Sequence, residues 1–167
     1  MSASLLWFRN DLRLADNPAL TAAAQGGRPV VPVYIFDDAT GDIRSPGGAS
    51  RWWLHHSLRA LDASLRAIGS RLILRRGAAK KELEKLAAEC GASAIYWNRV
   101  YDRPGRERDA RVRQTLGARG TAVVESAGNL LFEPQEVHKA DGGGFKVSTR
   151  SEEHTSELQS RFGISYA

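Results

Sequence analysis

The sequence predicts an α/β fold, a Rossmann-like doubly wound five-stranded parallel sheet with helices on both faces. Three observations lead to this prediction. Five short β-branched or aromatic runs alternate with amphipathic segments. Several of these runs are apolar at almost every position, which is typical of strands buried on both faces. Glycine-containing turns separate the segments, as in repeated strand–helix–strand units. A chain of 167 residues is long enough to bury one core of this kind.

The predicted strands are short and evenly spread along the chain. The runs "SLLWF", "PVVPVYIF" and "SAIYW" are almost continuously apolar and are expected to be buried on both faces. All five predicted strands cover residues 4–8, 29–36, 71–76, 93–97 and 121–126. The segments between them predict helices over 19–27, 50–69, 78–91 and 103–120.

The longest predicted helix carries an apolar stripe with a spacing of three and four residues, which predicts a face turned to the core. The stripe consists of Leu54, Leu58, Leu61, Leu65 and Ile68. Ser50 is the expected N-cap and Gly69 the expected stop. We expect Trp52 and Trp53 to be packing residues, and the adjacent His55 and His56 to pack or form hydrogen bonds rather than bind one metal ion.

Composition limits the class of protein without identifying it. The net charge of +5 comes from basic residues spread over many segments, so it favours anionic partners only weakly. The single cysteine, Cys90, excludes an internal disulfide and suits a reducing cytoplasm; we expect a buried, unreactive thiol. No apolar run reaches the length of a membrane span, and the first residues lack the pattern of a signal peptide.

The candidate binding segments follow the first, second and fourth strands, because open parallel sheets bind ligands beyond the carboxyl ends of their strands. They contain neither a dinucleotide-binding glycine motif nor a phosphate-binding P-loop. Arg9, Asp11, Arg13 and Asp16 form an alternating charged cluster after the first strand. Two interpretations of this cluster remain open: a salt-bridged loop, or a set of side chains that lines a ligand crevice or holds a second domain. No catalytic centre is recognisable.

The stretch "LLWFRNDLRLADNPAL" resembles the opening of the DNA photolyase and cryptochrome family, whose pattern there is W-F-R-x-D-L-R-x-x-D-N. Four further blocks resemble the family in the same order: "PVVPVYIFD", "GGASRWWLHHSL", "AIYWNRVYDRPGRERD" and "GGGFKVST". Together the blocks cover residues 4–149. The block "SRWWLHHSL" is similar to the bacterial photolyases that split cyclobutane pyrimidine dimers.

The resemblance implies a two-domain flavoenzyme. Its N-terminal α/β domain would hold a light-harvesting antenna chromophore, and a larger helical domain would hold FAD and the DNA lesion. Excited reduced flavin would then donate an electron to the dimer, which splits and returns it. Damaged DNA is thus the implied partner, through the other domain, of a protein that we expect to be monomeric, cytoplasmic and without a membrane segment.

By the same resemblance, the chain carries no catalytic residue and no metal ligand. The implied antenna contacts are Phe36, Asp38, Arg51, Asn98, Asp102, Gly105 and Arg106. In the loop after the fourth strand the folate-binding pattern has an Asn-Glu pair where this chain has Pro104-Gly105, so a deazaflavin is favoured over a folate. A purely structural role for Arg106 and Asp109 on their helix stays open.

Two other functions remain open at this point: a fragment of a cryptochrome-like blue-light photoreceptor, and a stand-alone nucleotide-binding α/β module. We expect an antenna domain over residues 1–132 and the start of an interdomain linker over 133–149, with a short strand or turn at Phe145–Val147.

The residues after Thr149 depart from the family pattern. The run from Arg150 to Gln159 resembles the translation of a common sequencing-library adapter, so we expect 150–167 to be a non-native tail on a truncated protein. A genuine short helix that begins at Ser151 is the alternative, although His154 stands where a capping box would place Glu or Gln. With no FAD site, the polypeptide is expected to repair no DNA by itself.

Overall fold

The computed structural model describes residues 2–38, 46–134 and 136, and it contains the predicted five-stranded parallel sheet. The strands are β1 (Ala3–Phe8), β2 (Val30–Phe36), β3 (Ile73–Arg76), β4 (Ala92–Asn98) and β5 (Ala122–Ser126). Their order is β3-β2-β1-β4-β5, and every neighbouring pair is parallel. The chain builds the sheet outwards from β1 in both directions, so the order reverses between β1 and β4. The predicted fold class is confirmed.

Four helices connect the strands: α1 (Pro18–Gln25), α2 (Gly48–Ala67), α3 (Ala79–Glu89) and α4 (Arg103–Gly117). Side-chain caps explain where two of them begin. Asn17 accepts a hydrogen bond from the backbone N–H of Leu20 at 3.2 Å, and Asp102 accepts one from Gly105 N at 2.8 Å. Proline in the first turn of both helices supports these starts, since its missing N–H has no partner there in any case.

The helices cover both faces of the sheet because successive side chains of a strand point to opposite sides. Leu5 and Trp7 of β1 pack into one core with residues of α3 and α4, such as Leu83 and Val112. Leu6 and Phe8 pack into the other core with residues of α1 and α2, such as Ala23 and Leu65. All six residues of β1 are buried, as the continuous apolarity predicts for a central strand.

Helix α2 differs from the sequence prediction at its start and agrees with it at its end, where Gly69 is the stop. It begins at Gly48, with Gly47 in an extended conformation as the N-cap, so the expected cap at Ser50 was wrong. The carbonyl of Gly47 accepts the first helical hydrogen bond from Arg51 at 2.9 Å, and no side chain caps this end. At the other end, the helix stops at Ala67 because Gly69 adopts a left-handed φ of 78°.

The apolar stripe of α2 is buried only in its middle. Leu61 and Leu65 are buried, whereas Ile68 lies beyond the last helical turn and is 69% exposed. Trp52 and Trp53, which we expected to be packing residues, are 62% and 68% exposed and are not part of either buried core. Trp52 stacks against the His56 ring at a centroid distance of 4.3 Å.

Cys90 ends α3 as a partly buried free thiol. Its Sγ donates to the carbonyl oxygen of Leu86 at 2.8 Å, and burial raises the pKa of the thiol. A raised pKa keeps the thiol protonated at neutral pH, which accords with the low reactivity that the sequence suggests.

The chain divides into two compact units, Met1–Asn129 and Leu130–Ala167, of which the second is described only at residues 130–134 and 136. The expected domain boundary at residue 132 stays a prediction. The expected turn at Phe145–Val147 and the tail that begins at Arg150 lie outside the described residues. In the part of the chain that the structure describes, no helix combines the length and apolarity needed to cross a membrane.

Candidate ligand-binding site at the carboxyl edge of the sheet

A cavity of about 470 Å³ opens at the carboxyl ends of the three central strands. Its walls come from the end of β1 and the loop after it, the end of β2, the loop after β4, and the first two turns of α4. This place adjoins the reversal in strand order between β1 and β4, where doubly wound sheets bind their ligands. The volume lies within the range of pockets that hold drug-sized or cofactor-sized molecules.

Three of the seven binding residues predicted from the sequence line this cavity: Phe36, Asp102 and Gly105. Phe36 ends β2 and presents its ring, over which the guanidinium carbon atoms of Arg51 and Arg76 each lie 5.8 Å from the centroid. Asp102 caps α4, and Gly105 occupies the first turn of that helix. The cavity wall therefore combines an aromatic face with the amino terminus of a helix.

Three other predicted residues lie beside the cavity or outside it. Asp38 pairs with Arg76 at 2.6 Å, and this hydrogen bond lowers the pKa of the Asp38 carboxyl. Arg51 donates from Nε to the Pro46 carbonyl at 2.9 Å, and its guanidinium lies over the ring of the cavity residue Phe36. Arg106 is exposed on α4 and is not among the cavity residues. Their roles in binding a ligand stay predictions.

Asn98, the seventh predicted residue, is buried, and its side chain binds other protein groups. Its Oδ1 accepts from the backbone N–H of Ala19 at 2.9 Å, and its Nδ2 donates to Asp11 and to Asn17. Its carbonyl oxygen accepts from Arg9. Asn98 thus ties the loop after β1 and the start of α1 to the end of β4, and both N–H donors of its amide are occupied by protein groups in this arrangement.

The charged cluster after β1 was expected either to form a salt-bridged loop or to line a ligand crevice. Some of its residues do the first and others the second. Arg9 is 8% exposed, lines the cavity and forms an ion pair with Asp109 of α4. Asp11 accepts from the backbone N–H of Arg9 at 2.8 Å. Arg13 and Asp16 form an exposed pair at 3.6 Å in the loop. Arg9 therefore belongs to the crevice and Arg13 to a salt-bridged loop.

Sequence reasoning missed three cavity residues that matter for its chemistry: Trp7, Tyr34 and Arg108. Arg108 has a signal that sequence reading could have used. It lies three residues after Gly105 and six after Asp102, and residues three apart share a helix face. Arg106 lies off that face, which explains why the helix exposes it.

Two guanidinium groups surround the Trp7 ring at the buried end of the cavity. The Cζ atoms of Arg9 and Arg108 each lie 4.8 Å from the ring centroid, within the range of cation–π contacts. Trp97 packs edge-on against Trp7, with the centroids 5.6 Å apart. Trp7 is 2% exposed, and within the described residues its Nε1 has no hydrogen-bond partner. An unsatisfied buried donor in a cavity residue is the kind of group that a ligand or an ordered water completes.

Burial shifts the titration of two further cavity residues. It lowers the pKa of Arg9, and the attraction of Asp109 opposes this shift. Burial also raises the pKa of the Tyr34 phenol, and the positive charge of Arg108 opposes this rise. The raised pKa keeps Tyr34 a neutral hydrogen-bonding group at neutral pH, and the ion pair with Asp109 favours the charged form of Arg9.

The arrangement is suited to binding a flat, partly polar molecule. Aromatic rings, hydrogen-bond donors and a helix amino terminus converge on one cavity, which matches the anatomy of cofactor sites. Among residues 2–38, 46–134 and 136, no group of three or more His, Cys, Asp or Glu side chains is placed to hold a metal ion.

Comparison with known proteins assigns the family. The family model described as DNA photolyase matches residues 4–162. The chain is 46% identical over 145 residues to a deoxyribodipyrimidine photo-lyase of Agrobacterium fabrum, a match that covers 87% of this chain and 30% of that protein. It is 41% identical over 145 residues to Cryptochrome-1 of Arabidopsis thaliana, which covers 86% of this chain and 21% of that protein.

A solved structure agrees with the sequence comparison. The crystal structure of a bacterial class III photolyase from Agrobacterium tumefaciens superimposes with a TM-score of 0.82 at 44% identity, over 89% of this chain and 30% of that one. The chain thus spans about a third or less of the length of these proteins. With this sheet order, this cavity and a family match over most of its length, the chain belongs to the DNA photolyase family.

Proposed function

We propose that this chain is the antenna-chromophore domain of a light-driven DNA repair enzyme, a deoxyribodipyrimidine photolyase. The observation that carries the proposal is the cavity between Phe36, Trp7 and the start of α4, in a chain that belongs to the photolyase family. A fused-ring chromophore would lie in this cavity and pass its excitation energy to FAD in a separate helical domain. The pyrimidine dimer in damaged DNA would bind that second domain.

The residues present fit such a group. The cavity volume of about 470 Å³ suits a molecule of two or three fused rings, and Phe36 and Tyr34 supply apolar surface for its faces. The orphaned indole N–H of Trp7 and the guanidinium of Arg108 supply polar contacts. When bound, the chromophore supplies light absorption; the protein supplies its position, its orientation and the exclusion of water.

Among antenna chromophores we favour a deazaflavin over a folate. The support is the Pro104-Gly105 pair at the start of α4, where both residues line the cavity and where the folate-binding pattern carries Asn and Glu. Gly105 is held tightly, because a Cβ atom there would lie 2.6 Å from Cγ2 of Val100. At the position where the folate-binding pattern has an acidic side chain, this chain therefore has closely packed backbone.

Titration of the purified chain with candidate chromophores tests the proposal. We expect a deazaflavin to bind with its fluorescence changed, and the Phe36→Ala variant to bind it at least about tenfold more weakly, since it loses a stacking face. Trp52→Ala is the matched control, because that ring is exposed and lies outside the cavity residues. Failure of deazaflavin, folate and flavin alike to bind would refute the proposed site.

A second candidate function is a cryptochrome-like photoreceptor, which the 41% identity to Arabidopsis Cryptochrome-1 supports. The discriminating experiment is to resequence the source locus across the codon for Thr149, express the reading frame obtained, and assay repair of ultraviolet-irradiated DNA in light. Repair would establish the photolyase function; light-dependent flavin reduction without repair would favour the photoreceptor. We further propose that the full-length protein is monomeric and cytoplasmic, a location in keeping with the single thiol Cys90.

A further inference from the structure

We infer that the outer face of α4 binds the sugar–phosphate backbone of duplex DNA. This goes beyond the proposed function, which concerns the cavity of this domain and assigns the pyrimidine dimer to a separate helical domain. Three observations carry the inference: an excess of arginine on one face of the helix, carboxylates that are shared between several arginines, and a neighbouring helix whose charges are balanced.

Positive charge is concentrated on α4. Its 15 residues include five arginines and two carboxylates, a net charge of +3, whereas the whole chain has a net charge of +5. Arg108 lines the cavity and Asp109 is buried. The other arginines of the helix are exposed: Arg103, Arg106, Arg111 and Arg113. Glu107 is the one carboxylate among the exposed side chains of this helix, all of which the structure describes.

The exposed arginines share the outer side of α4, because the core takes the other side. The buried side consists of residues three or four apart: Gly105, Asp109, Val112 and Leu116. From Arg103 to Arg113 the outer face extends about 15 Å along the helix axis, at about 1.5 Å per residue. One strand of duplex DNA carries a phosphate about every 3.4 Å along its axis, so this length matches about four phosphates.

One carboxylate on the outer face lies beside three arginines. Glu107 accepts from Nε of Arg103 at 2.8 Å and lies 3.7 Å from Nη2 of Arg111. The hydrogen bond from Arg103 lowers the pKa of the Glu107 carboxyl most strongly, and the charges of Arg111 and Arg106 lower it further. Arg106 forms no salt bridge within the described residues, so its charge is available to an added anion.

A carboxylate is also shared where α4 faces the end of β5. Glu125 accepts from Nη2 of Arg113 at 2.7 Å and lies 3.5 Å from Nε of Arg99. Its other oxygen accepts from Nε1 of Trp97 at 3.3 Å. The Arg113 side chain is 49% exposed, and a guanidinium has five N–H donors. Arg113 can therefore keep Glu125 on one side and donate to a phosphate on the other.

Helix α3, which packs beside α4, shows the balanced charge of an ordinary solvated helix. It carries three lysines and three glutamates, so its net charge is zero. Lys85 pairs with Glu82 at 2.7 Å, and Lys80 lies 4.0 Å from Glu84 one turn away. The cations of α4 are all arginine, whose planar fork of donors matches two oxygens of one phosphate. The outer face of α4 therefore differs from α3 in both net charge and donor geometry.

Duplex DNA is the partner that fits this face. Its backbone presents a regular array of negative charges, and the DNA photolyase family, to which the chain belongs, acts on damaged DNA. Contacts to phosphate position a protein on DNA without reading the bases. We therefore expect the face to bind intact and ultraviolet-irradiated duplex equally well.

Fluorescence anisotropy of a labelled intact duplex, titrated with the purified chain at a series of salt concentrations, tests the inference. The affinity should fall as salt rises, because each phosphate contact releases bound counterions. Combined replacement of Arg103, Arg106 and Arg113 by Gln should weaken binding at low salt at least about tenfold. It should also reduce the slope of log affinity against log salt by about 2 to 3, at about 0.9 per lost contact. Combined replacement of the same residues by Lys keeps the charge and should retain most of the slope.

The matched control removes the same charge from other parts of the surface. Arg28, Arg59 and Arg71 are exposed, lie outside α3 and α4, and form no salt bridge within the described residues. Their combined replacement by Gln lowers the net charge equally and should leave the affinity within about twofold, because exposed charges far from the phosphates are screened by salt. Thermal melts establish that each variant is folded.

Four results would overturn the inference. The first is that the unaltered chain shows no salt-dependent binding to the duplex, and the second is that the α4 and control variants lose equal affinity. The third is tighter binding to polyglutamate than to the duplex, which would indicate an acidic protein partner. The fourth is a preference for irradiated over intact duplex, which would indicate contacts to the lesion and not to the backbone. Because none of these experiments involves the chromophore, each result leaves the proposed function to its own titration.

Discussion

Replacement of Asp109 by Asn should strongly destabilise the protein, although it keeps the size of the side chain. The substitution removes the negative charge that Arg9 and Arg108 share. The side chains of Arg9 and Asp109 are only 7% and 4% exposed, so water cannot replace the lost partner. The new amide would keep one acceptor oxygen but would turn the N–H donors of its NH2 group towards one of the two guanidinium groups, which are themselves donors only.

The expected loss follows from two estimates that agree. Breaking a buried ion pair by removing one partner costs about 3–5 kcal/mol. Two unit charges about 4 Å apart at an effective dielectric constant of about 20 interact by about 4 kcal/mol. Because Arg9 keeps its hydrogen bond to the Asn98 carbonyl and its contact with Trp7, we expect the lower end, about 3 kcal/mol.

Urea denaturation followed by far-UV circular dichroism measures this loss. With a slope of about 2 kcal/mol per molar urea, the midpoint should fall by roughly 1.5 M. Glu107→Gln is the control on the same helix, since Glu107 forms exposed pairs with Arg103 and Arg111, and its midpoint should not move measurably. A loss below about 1 kcal/mol for Asp109→Asn would refute the reasoning, because it would mean that the two arginines are well solvated without the carboxylate.

Three further predictions concern other parts of the domain. The Arg66 guanidinium holds the pKa of the Asp62 carboxyl below its ordinary value of 3.8. The ionised carboxyl should therefore stabilise the fold above pH 4, and this stability should be lost as the pH falls through the lowered pKa. Asp62→Asn should flatten the acid side of a plot of urea midpoint against pH. Gly105→Ala should lower the free energy of unfolding by about 1–3 kcal/mol in the same assay and weaken chromophore binding, because the new Cβ would lie 2.6 Å from Val100. The control is Gly117→Ala, which has open space around its Cβ and should be neutral or stabilising. Replacing Trp52 and Trp53 by Gln should reduce self-association of the chain in sedimentation velocity without lowering the melting temperature, because both rings are exposed apolar groups. Unchanged self-association would mean that a different surface of the chain mediates it.

The fold was predictable because its signals are local. The almost continuous apolarity of β1 and β4 marks strands covered on both sides, and each of these strands is central in the sheet. Asn17 and Asp102 precede proline-containing first turns, so capping chemistry sets the starts of α1 and α4. The start of α2 was misplaced because its N-cap is a glycine, whose side chain leaves no capping signal.

The residues that line the cavity are harder to predict from the sequence, because they depend on which face of a helix or strand turns towards the cavity. Asp102 and Gly105 follow from their loop, and Phe36 from the end of its strand. Asn98 was expected at the ligand, yet packing turns its amide inwards, towards Ala19 and Asp11. Short-range sequence patterns carry no record of such partners, which lie far away along the chain.

The sequence by itself determined the alternation of strands and helices, the two-sided burial of the central strands and the family of the protein, because these depend on periodicity, capping and motif order. Only the tertiary structure decided that Arg9 is a buried cation, that Asp109 serves two arginines, and that Arg108 rather than Arg106 reaches the cavity. These features arise where β1 and α4, which are distant along the chain, are brought together by the parallel crossover. The charge of the cavity is therefore a property of the packed fold and of no single segment.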